Sequence, residues 1–210
     1  MMTIMIIWLF LSFLLLTGCV TRSSIDTAPT TDSSASSVSS QQETGLFRTP
    51  LARARARVTK KPFGIQVSPS SSPVHPERFM GYHSGVDFEA LPDEQNEDVW
   101  VSAICAGTVR FRGWVKGYGG LLIEECTYQG APITVLYGHL NSDSVSARTA
   151  TSLKIGTSIG TLGKGFSSQT DGERKHLHLG IHRGSSLTYR GYVSTSQELA
   201  DWVDVMTVIR

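Results

Sequence analysis

Residues 133–137 read Ile-Thr-Val-Leu-Tyr, and this run indicates a β-strand. It consists of β-branched, aliphatic and aromatic side chains, the residue types that favour a strand. Similar short runs, punctuated by glycine, recur on both sides of it, at 99–101, 108–111, 121–123, 158–162 and 176–181. The chain has no internal repeat. This pattern predicts a mainly β domain built from antiparallel strands.

One helix is predicted, near the C-terminus. Four apolar residues recur there at the i, i+3, i+4 and i+7 spacing of one helix face: Leu199, Trp202, Val203 and Met206. Ser194 or Ser196 lies where such a helix needs its N-cap. We therefore expect the β domain to end in a short helix.

Composition excludes several function classes. The chain has 210 residues, with 19 Lys and Arg against 18 Asp and Glu, and a formal net charge of +1. This balance argues against a nucleic-acid binder, which needs many cationic contacts to phosphate. Cys19, Cys105 and Cys126 are too few for a disulfide-built scaffold and lack the C-x-x-C spacing of a structural zinc site. Any metal must therefore be bound by other residues.

The first 18 residues are predicted to be a signal peptide. Residues 4–16 are apolar apart from Ser12, and at about 1.5 Å per residue they span only about 20 Å of a hydrocarbon core about 30 Å thick. Leu-Thr-Gly-Cys at 16–19 resembles the lipobox of bacterial lipoproteins, which implies cleavage before Cys19 and its lipidation. Residues 1–18 lack the basic residue that normally opens a signal, and an uncleaved anchor is the alternative. Both readings export the rest of the chain, as a membrane-anchored protein facing the periplasm or the cell wall.

Residues 19–60 are predicted to be a linker. Residues 21–44 are rich in Ser and Thr and contain few sizeable aliphatic side chains, so burial cannot offset the entropy of ordering them. A stretch of six basic residues without an acid follows: Arg48, Arg53, Arg55, Arg57, Lys60 and Lys61. We interpret it as solvated linker, with attraction to anionic lipid or wall polymer as the alternative. The folded domain is predicted over residues 61–210.

Two cysteines flank a predicted hairpin. A turn within residues 113–120 would place Cys105 and Cys126 on opposite strands. A disulfide is one expectation, because an exported protein meets an oxidising compartment. A single bulge would shift the register and leave two buried thiols, which is the other expectation. Both give the pair a structural role.

The histidines carry the chemistry. On a straight strand, the Cα atoms of His83 and Asp87 would lie about 13 Å apart, so the chain must bend at Gly85 if both are to reach one metal ion. A second histidine, His139, follows a glycine directly after the central strand run.

The last constellation is His176-Leu177-His178. On a strand, the two imidazoles point to the same face while Leu177 points to the core. Three nitrogen or oxygen ligands with one open position are typical of catalytic zinc.

In this order, H-x-x-x-D, a glycine-preceded histidine and H-x-H closely resemble the lysostaphin-type zinc metallopeptidases, which cut peptidoglycan peptides. The resemblance runs from about residue 62 to residue 202 and includes the segments 81–88, 106–109, 136–140, 156–160 and 176–178. It implies that His83, Asp87 and His178 ligate zinc. It also implies that His139 and His176 are catalytic beside the open position, under a groove in an antiparallel β domain.

The residues before H-x-H depart from the family pattern. Relatives commonly have a small glycine-containing segment there, whereas residues 171–175 form a charged lip. Arg174 and Lys175 are candidate substrate contacts, with a solvated strand end as the alternative. A rival reading takes Glu173 and His176 as an E-x-x-H element, in the manner of zinc D-alanyl carboxypeptidases, but it leaves H-x-H unexplained.

The sequence thus predicts a metalloendopeptidase with one Zn²⁺ per domain that hydrolyses peptide bonds in peptidoglycan stem peptides or cross-bridges. Its expected partners are the peptidoglycan peptide and, through the N-terminal lipid, a membrane. The alternative is a non-enzymatic wall-binding or hydrolase-activating lipoprotein, a role that the same fold serves in relatives lacking metal ligands. The complete set of histidines favours the enzyme, either constitutively active or latent behind a loop over the metal.

Overall fold

The structure is a computed structural model that describes residues 47–210. The predicted signal peptide, Cys19 and the Ser/Thr-rich part of the linker lie outside the described residues. Within residues 47–210, no helix is both long enough and apolar enough to cross a membrane.

Strands dominate the described chain. They are β1 Gln66–Val67, β2 Gly81–His83, β3 Gly85–Glu89, β4 Trp100–Ser102, β5 Gly107–Val115, β6 Gly119–Tyr128, β7 Ala131–Leu140, β8 Ser152–Leu153, β9 Ser158–Thr161, β10 His176–Arg183, β11 Tyr192–Val193 and β12 Trp202–Val203. One short α-helix, α1, spans Ala54–Arg57, and the 3₁₀ helices are Pro92–Glu94, Ser168–Thr170, Gln197–Asp201 and Val205–Thr207.

The central sheet has seven strands in the order β12-β10-β7-β6-β5-β8, with β3 also paired to β10. Every strand pair in it is antiparallel, which confirms the predicted fold class. Strand β10 pairs with β7 along one edge and with β3 and then β12 along the other. The described residues also form two small sheets, β1-β2-β11 and β4-β9.

The core lies on one face of the central sheet. In β10, Leu177, Leu179 and Ile181 are fully buried in the main apolar cluster. His176 and His178 alternate with them and therefore point to the opposite face, as the sequence predicts. A smaller apolar cluster, which includes Leu121 and Leu136, packs separately from the main one. The sheet thus separates the core from the face that carries the histidines.

The folded domain begins earlier than residue 61. Leu51 and Ala54 are buried in the main core, and Phe47 forms a bridge with Ile209 near the other end of the chain. The prediction that residues 48–60 are solvated linker is therefore wrong.

Ion pairs explain why two basic residues of this segment are buried. Arg57 makes a two-pronged ion pair with Glu94 at 2.6 and 2.7 Å, and Lys61 pairs with Glu77. Because each charge has a carboxylate partner, its burial is tolerated. The partners lie far along the chain, so the local run of basic residues gave no sign of them.

The predicted hairpin is formed by β5 and β6, whose turn covers residues 116–118. The register shifts by a bulge between Val109 and Phe111, and Gly107, rather than Cys105, faces the end of β6 that carries Cys126. The cysteines are nevertheless joined by a disulfide, with their Cα atoms 6.4 Å apart. A Cβ on Gly107 would lie 2.6 Å from the Cys126 Sγ, so glycine leaves the space that the disulfide occupies.

The single C-terminal helix is replaced by two 3₁₀ helices on either side of β12. Trp202 and Val203 pair with His182 and Ile181 of β10 and take extended conformations. Sheet pairing satisfies their backbone groups and buries both side chains, which overrides the helical spacing of the apolar residues.

Candidate active site

Strand pairing brings the first metal-ligand candidates together. Asp87 of β3 lies directly opposite His178 of β10 in the antiparallel register. His83 ends β2, which belongs to a different sheet, so the chain changes sheets at Ser84. At Gly85 a Cβ would lie 2.6 Å from the Leu179 carbonyl oxygen and 2.7 Å from His178 Nε2. Glycine is therefore needed here for close backbone approach.

Three ligand atoms converge in the interior. His83 Nε2 lies 3.0 Å from His178 Nδ1, and Asp87 Oδ1 lies 3.2 Å from the former and 3.1 Å from the latter. Ligands about 2.0–2.1 Å from a tetrahedral zinc ion are about 3.3 Å apart. All three side chains are buried, and together they form a set of ligand atoms suited to a metal ion. Two imidazoles and one carboxylate suit zinc by their chemistry.

Outer contacts fix the orientation of His83. Its Nδ1 lies 3.2 Å from the carbonyl oxygen of Pro62, which can only accept a hydrogen bond. Nδ1 therefore carries a proton, and Nε2 is the nitrogen that faces the centre of the triangle. Metal-bound histidines commonly donate their other N–H to a carbonyl in this way.

His139 and His176 lie beside the triangle without belonging to it. Their ring centroids are 4.2 Å apart. His176 Nε2 lies 3.2 Å from Asp87 Oδ2, and its Nδ1 lies 2.9 Å from the Arg174 carbonyl oxygen. His139 has a φ of 62°, a left-handed conformation that is uncommon for a residue with a side chain and is concentrated at functional sites.

Burial and neighbouring charges set the protonation states. Burial alone would raise the pKa of Asp87, but the charges of His176, His83 and Arg174 outweigh it and hold that pKa well below its usual range. Burial lowers the pKa of His178 to about 4 against its hydrogen bond to Asp87. Burial, with the charge of His176, also holds the pKa of His139 well below its usual range. His139 and His178 are therefore neutral at pH 7, and Asp87 is ionised.

A cavity of about 250 Å³ opens over these groups. Four of the five predicted metal or catalytic residues line it, namely Asp87, His139, His176 and His178. His83 lies behind them and is fully buried. The structure therefore gathers all five around one cavity.

The two candidate substrate contacts differ in placement. Lys175 is buried, and its Nζ donates to the backbone carbonyls of Glu94, Gln95 and Glu97. Its side chain does not line the cavity. It holds the loop after β3 and is not a solvated strand end. Arg174 lines the cavity but is also buried, in ion pairs with the carboxylates described below.

Glu173 lies in the cavity wall but does not act as the rival reading requires. Its Oε1 accepts a hydrogen bond of 2.6 Å from Arg78 Nε. This ion pair occupies the carboxylate, whereas the H-x-H pair, which that reading left unexplained, faces the ligand triangle.

Sequence reasoning missed two tyrosines of the cavity wall. The ring of Tyr118 lies 5.4 Å from that of His178 and 5.6 Å from that of His139, and the Tyr192 ring lies 5.1 Å from His83. Burial raises the pKa of each, so both keep their phenolic protons. Tyr118 lies between two glycines at a hairpin tip, which was a usable signal, whereas nothing near Tyr192 in the sequence marks it.

Comparison with known proteins gives one family. The model of peptidase family M23 matches residues 81–189, a range that includes all five predicted metal and catalytic residues. None of the curated proteins compared with the chain matches it.

Several solved structures are similar to this chain. Helicobacter pylori Csd3 is 20% identical, with 80% of this chain and 34% of that chain covered and a TM-score of 0.45. LytU is 23% identical, with 75% of this chain and 83% of the LytU chain covered and a TM-score of 0.47. A zinc-containing peptidase from Vibrio cholerae is 21% identical, with 66% of this chain and 37% of that chain covered and a TM-score of 0.43. The chain thus spans about a third of the length of the Csd3 and V. cholerae chains.

Proposed function

The chain belongs to peptidase family M23, and on that premise we propose that it is a zinc-dependent endopeptidase acting on peptidoglycan stem peptides or cross-bridges. The single observation that carries the proposal is the convergence of His83 Nε2, Asp87 Oδ1 and His178 Nδ1 within 3.0–3.2 Å of one another under an open cavity. This set fits zinc in ligand type and spacing. When bound, zinc would acidify a water molecule and polarise the scissile carbonyl.

The two remaining histidines divide the proton transfers. His139 is neutral and is therefore the candidate base that accepts a proton from the attacking water. His176 faces a hydrogen-bond acceptor at each ring nitrogen, the Arg174 carbonyl oxygen and Asp87 Oδ2, which suits the protonated form. It is the candidate acid for the leaving amine or the electrostatic partner of the oxyanion.

The substrate would lie along the cavity. Tyr118 and Tyr192 contribute aromatic surface near the ligand triangle, and Lys116 lies at the rim as an exposed cation with no ion pair among the residues that the structure describes. An exported chain anchored through Cys19 would hold this cavity beside the peptidoglycan. Both the export and the anchor are part of the proposal.

Mass spectrometry of products from purified peptidoglycan tests the proposal. The protein should release peptide products in the presence of zinc and none with a chelator. The variant His176→Ala should bind zinc but release nothing.

Two results would contradict the enzyme. Products that persist in chelator would contradict zinc dependence. Zinc binding without any product would instead favour the wall-binding or hydrolase-activating alternative.

A further inference from the structure

Arg174 is a buried cation at the edge of the ligand triangle. It precedes β10 and is 8% exposed. Its Nη2 donates to Asp87 Oδ2 at 2.7 Å and to Glu89 Oε1 at 2.6 Å, while its Nε lies 2.9 and 3.0 Å from the two oxygens of Glu89. One guanidinium therefore contacts both carboxylates that β3 presents on this face.

Glu89 is the main ion-pair partner of Arg174. It contacts Nε and Nη2 together, the two-pronged geometry in which arginine and carboxylate pair best. Lys60 Nζ also lies 3.6 Å from Glu89 Oε2, but its side chain is 44% exposed and its charge is balanced by solvent as well. The contact of Arg174 to Asp87 is made in addition to the pair with Glu89, so its consequence is to be sought at Asp87.

The contact divides the two oxygens of Asp87. Oδ1 lies in the triangle, 3.2 Å from His83 Nε2 and 3.1 Å from His178 Nδ1. Oδ2 is turned to Arg174 at 2.7 Å and to His176 Nε2 at 3.2 Å. A carboxylate can bind a metal through one oxygen or two, and here the second oxygen is held by other donors.

We propose that Arg174 is a positioning residue that restricts Asp87 to ligation through Oδ1, so that one coordination position stays open for water and substrate. The inference rests on the proposed zinc site. Arg174 would also place a fixed positive charge next to a doubly charged ion, which weakens metal binding. The arrangement therefore favours a catalytic site with an open coordination position over a site with the highest affinity for the metal.

This role and a merely structural role predict opposite effects on metal affinity. If Arg174 only supports Asp87, its removal loosens a ligand and weakens zinc binding. If Arg174 holds back the second oxygen, its removal frees Oδ2 for the metal and takes away an opposing charge, so zinc binds more tightly. Because removal of the charge alone also raises zinc affinity, the two roles are separated by the affinity and the coordination number of the metal together.

The test uses Arg174→Gln and Arg174→Lys, with Arg57→Lys as the matched control. Arg57 is also a buried arginine in a two-pronged ion pair with a glutamate, but it makes no hydrogen bond to the triangle. Zinc affinity is measured by competition with a chromophoric chelator at fixed pH. The visible spectrum of the Co²⁺-substituted protein reports coordination number, because four-coordinate Co²⁺ absorbs more strongly than five- or six-coordinate Co²⁺.

Arg174→Gln should bind zinc about tenfold more tightly or better, since one nearby unit charge is removed, and its Co²⁺ bands should weaken. Its turnover should fall. Arg174→Lys keeps a cation beside Oδ2 and should retain the wild-type spectrum and affinity. Arg57→Lys should lower the melting temperature and leave both metal readouts unchanged.

Weaker or equal zinc binding by Arg174→Gln, or an unchanged spectrum, would overturn the inference. If that variant does not fold, the wild-type protein still decides, because weak Co²⁺ bands of higher coordination would contradict one-oxygen ligation by Asp87. A wild-type protein that binds no zinc would instead refute the proposed function.

Discussion

Glu124 makes the stability of the domain depend on pH in an unusual direction. Its carboxyl is fully buried on β6, where Oε1 accepts a hydrogen bond from the Tyr137 hydroxyl and Oε2 has no partner among residues 47–210. Burial raises the pKa of Glu124 from 4.5 to about 7, against a smaller opposing effect of Tyr137. The folded protein therefore holds a proton that the unfolded chain releases between about pH 4.5 and 7.

The sign and size of the effect follow from this proton. Where the native state binds more protons than the unfolded state, the free energy of unfolding falls as pH rises. The gap between pKa values of 4.5 and about 7 corresponds to about 3 kcal/mol at about 1.4 kcal/mol per pKa unit. This stability is fully present below pH 4.5 and is lost above pH 7.

Glu124→Gln removes the titrating carboxyl group but keeps an oxygen that can accept the hydrogen bond from the Tyr137 hydroxyl. Urea unfolding of both proteins from pH 5 to pH 8 should show the variant gaining about 3 kcal/mol relative to wild type as pH rises. Tyr137→Phe, made in the wild-type chain, removes the hydrogen bond that lowers the pKa of Glu124. The fall in the free energy of unfolding should therefore occur at higher pH in this variant. A difference in the free energy of unfolding between Glu124→Gln and wild type that stays constant over this range would show that Glu124 does not titrate between pH 5 and 8.

Three further predictions concern the fold. Replacing Cys105 and Cys126 with serine should lower the free energy of unfolding by about 3 kcal/mol in urea titrations, because the disulfide closes a loop with a sequence separation of 21. Gly107→Ala should destabilise the protein by more than about 1 kcal/mol, since its Cβ would lie 2.4 Å from the Glu125 carbonyl oxygen and 2.6 Å from the Cys126 Sγ, and an unchanged melting temperature would contradict this. Arg57→Gln should cost about 1.5–3 kcal/mol by removing the charged hydrogen bonds to Glu94, whose carboxylate stays in contact with solvent, whereas a cost under 1 kcal/mol would show that the pair is unimportant.

The central sheet was predictable because its signal is local. Alternation along 176–181 assigns Leu177 and Leu179 to the core and the histidines to the other face, and the structure has this arrangement. The burial of Arg57 was not predictable, because its partner Glu94 is distant in sequence and no local pattern links the two.

In the C-terminal segment, a clear local pattern predicted the wrong secondary structure. The apolar spacing around Trp202 fits a helix, but pairing with His182 of β10 decides its conformation. A long-range backbone contact of this kind leaves no periodic trace in the sequence.

The sequence identified the individual residues of the candidate site, but it could not predict the hydrogen bonds between them. The spacing of the histidines and Asp87 marks the ligands, because few chemistries need those residue types at such intervals. The division of the Asp87 oxygens between the triangle and Arg174 depends on the register of β3 against β10 and on two side-chain conformations. Nothing in a linear sequence specifies those conformations.

Zinc content of the purified protein and of two variants distinguishes the metal ligands from the catalytic histidines. The triangle of His83, Asp87 and His178 should hold about one zinc ion per chain, so His83→Ala should contain almost none after dialysis. His176→Ala should retain about one zinc ion and lose only turnover, since His176 lies beside the triangle. Equal loss of zinc in both variants, or full retention in His83→Ala, would contradict the assignment of ligands and catalytic residues.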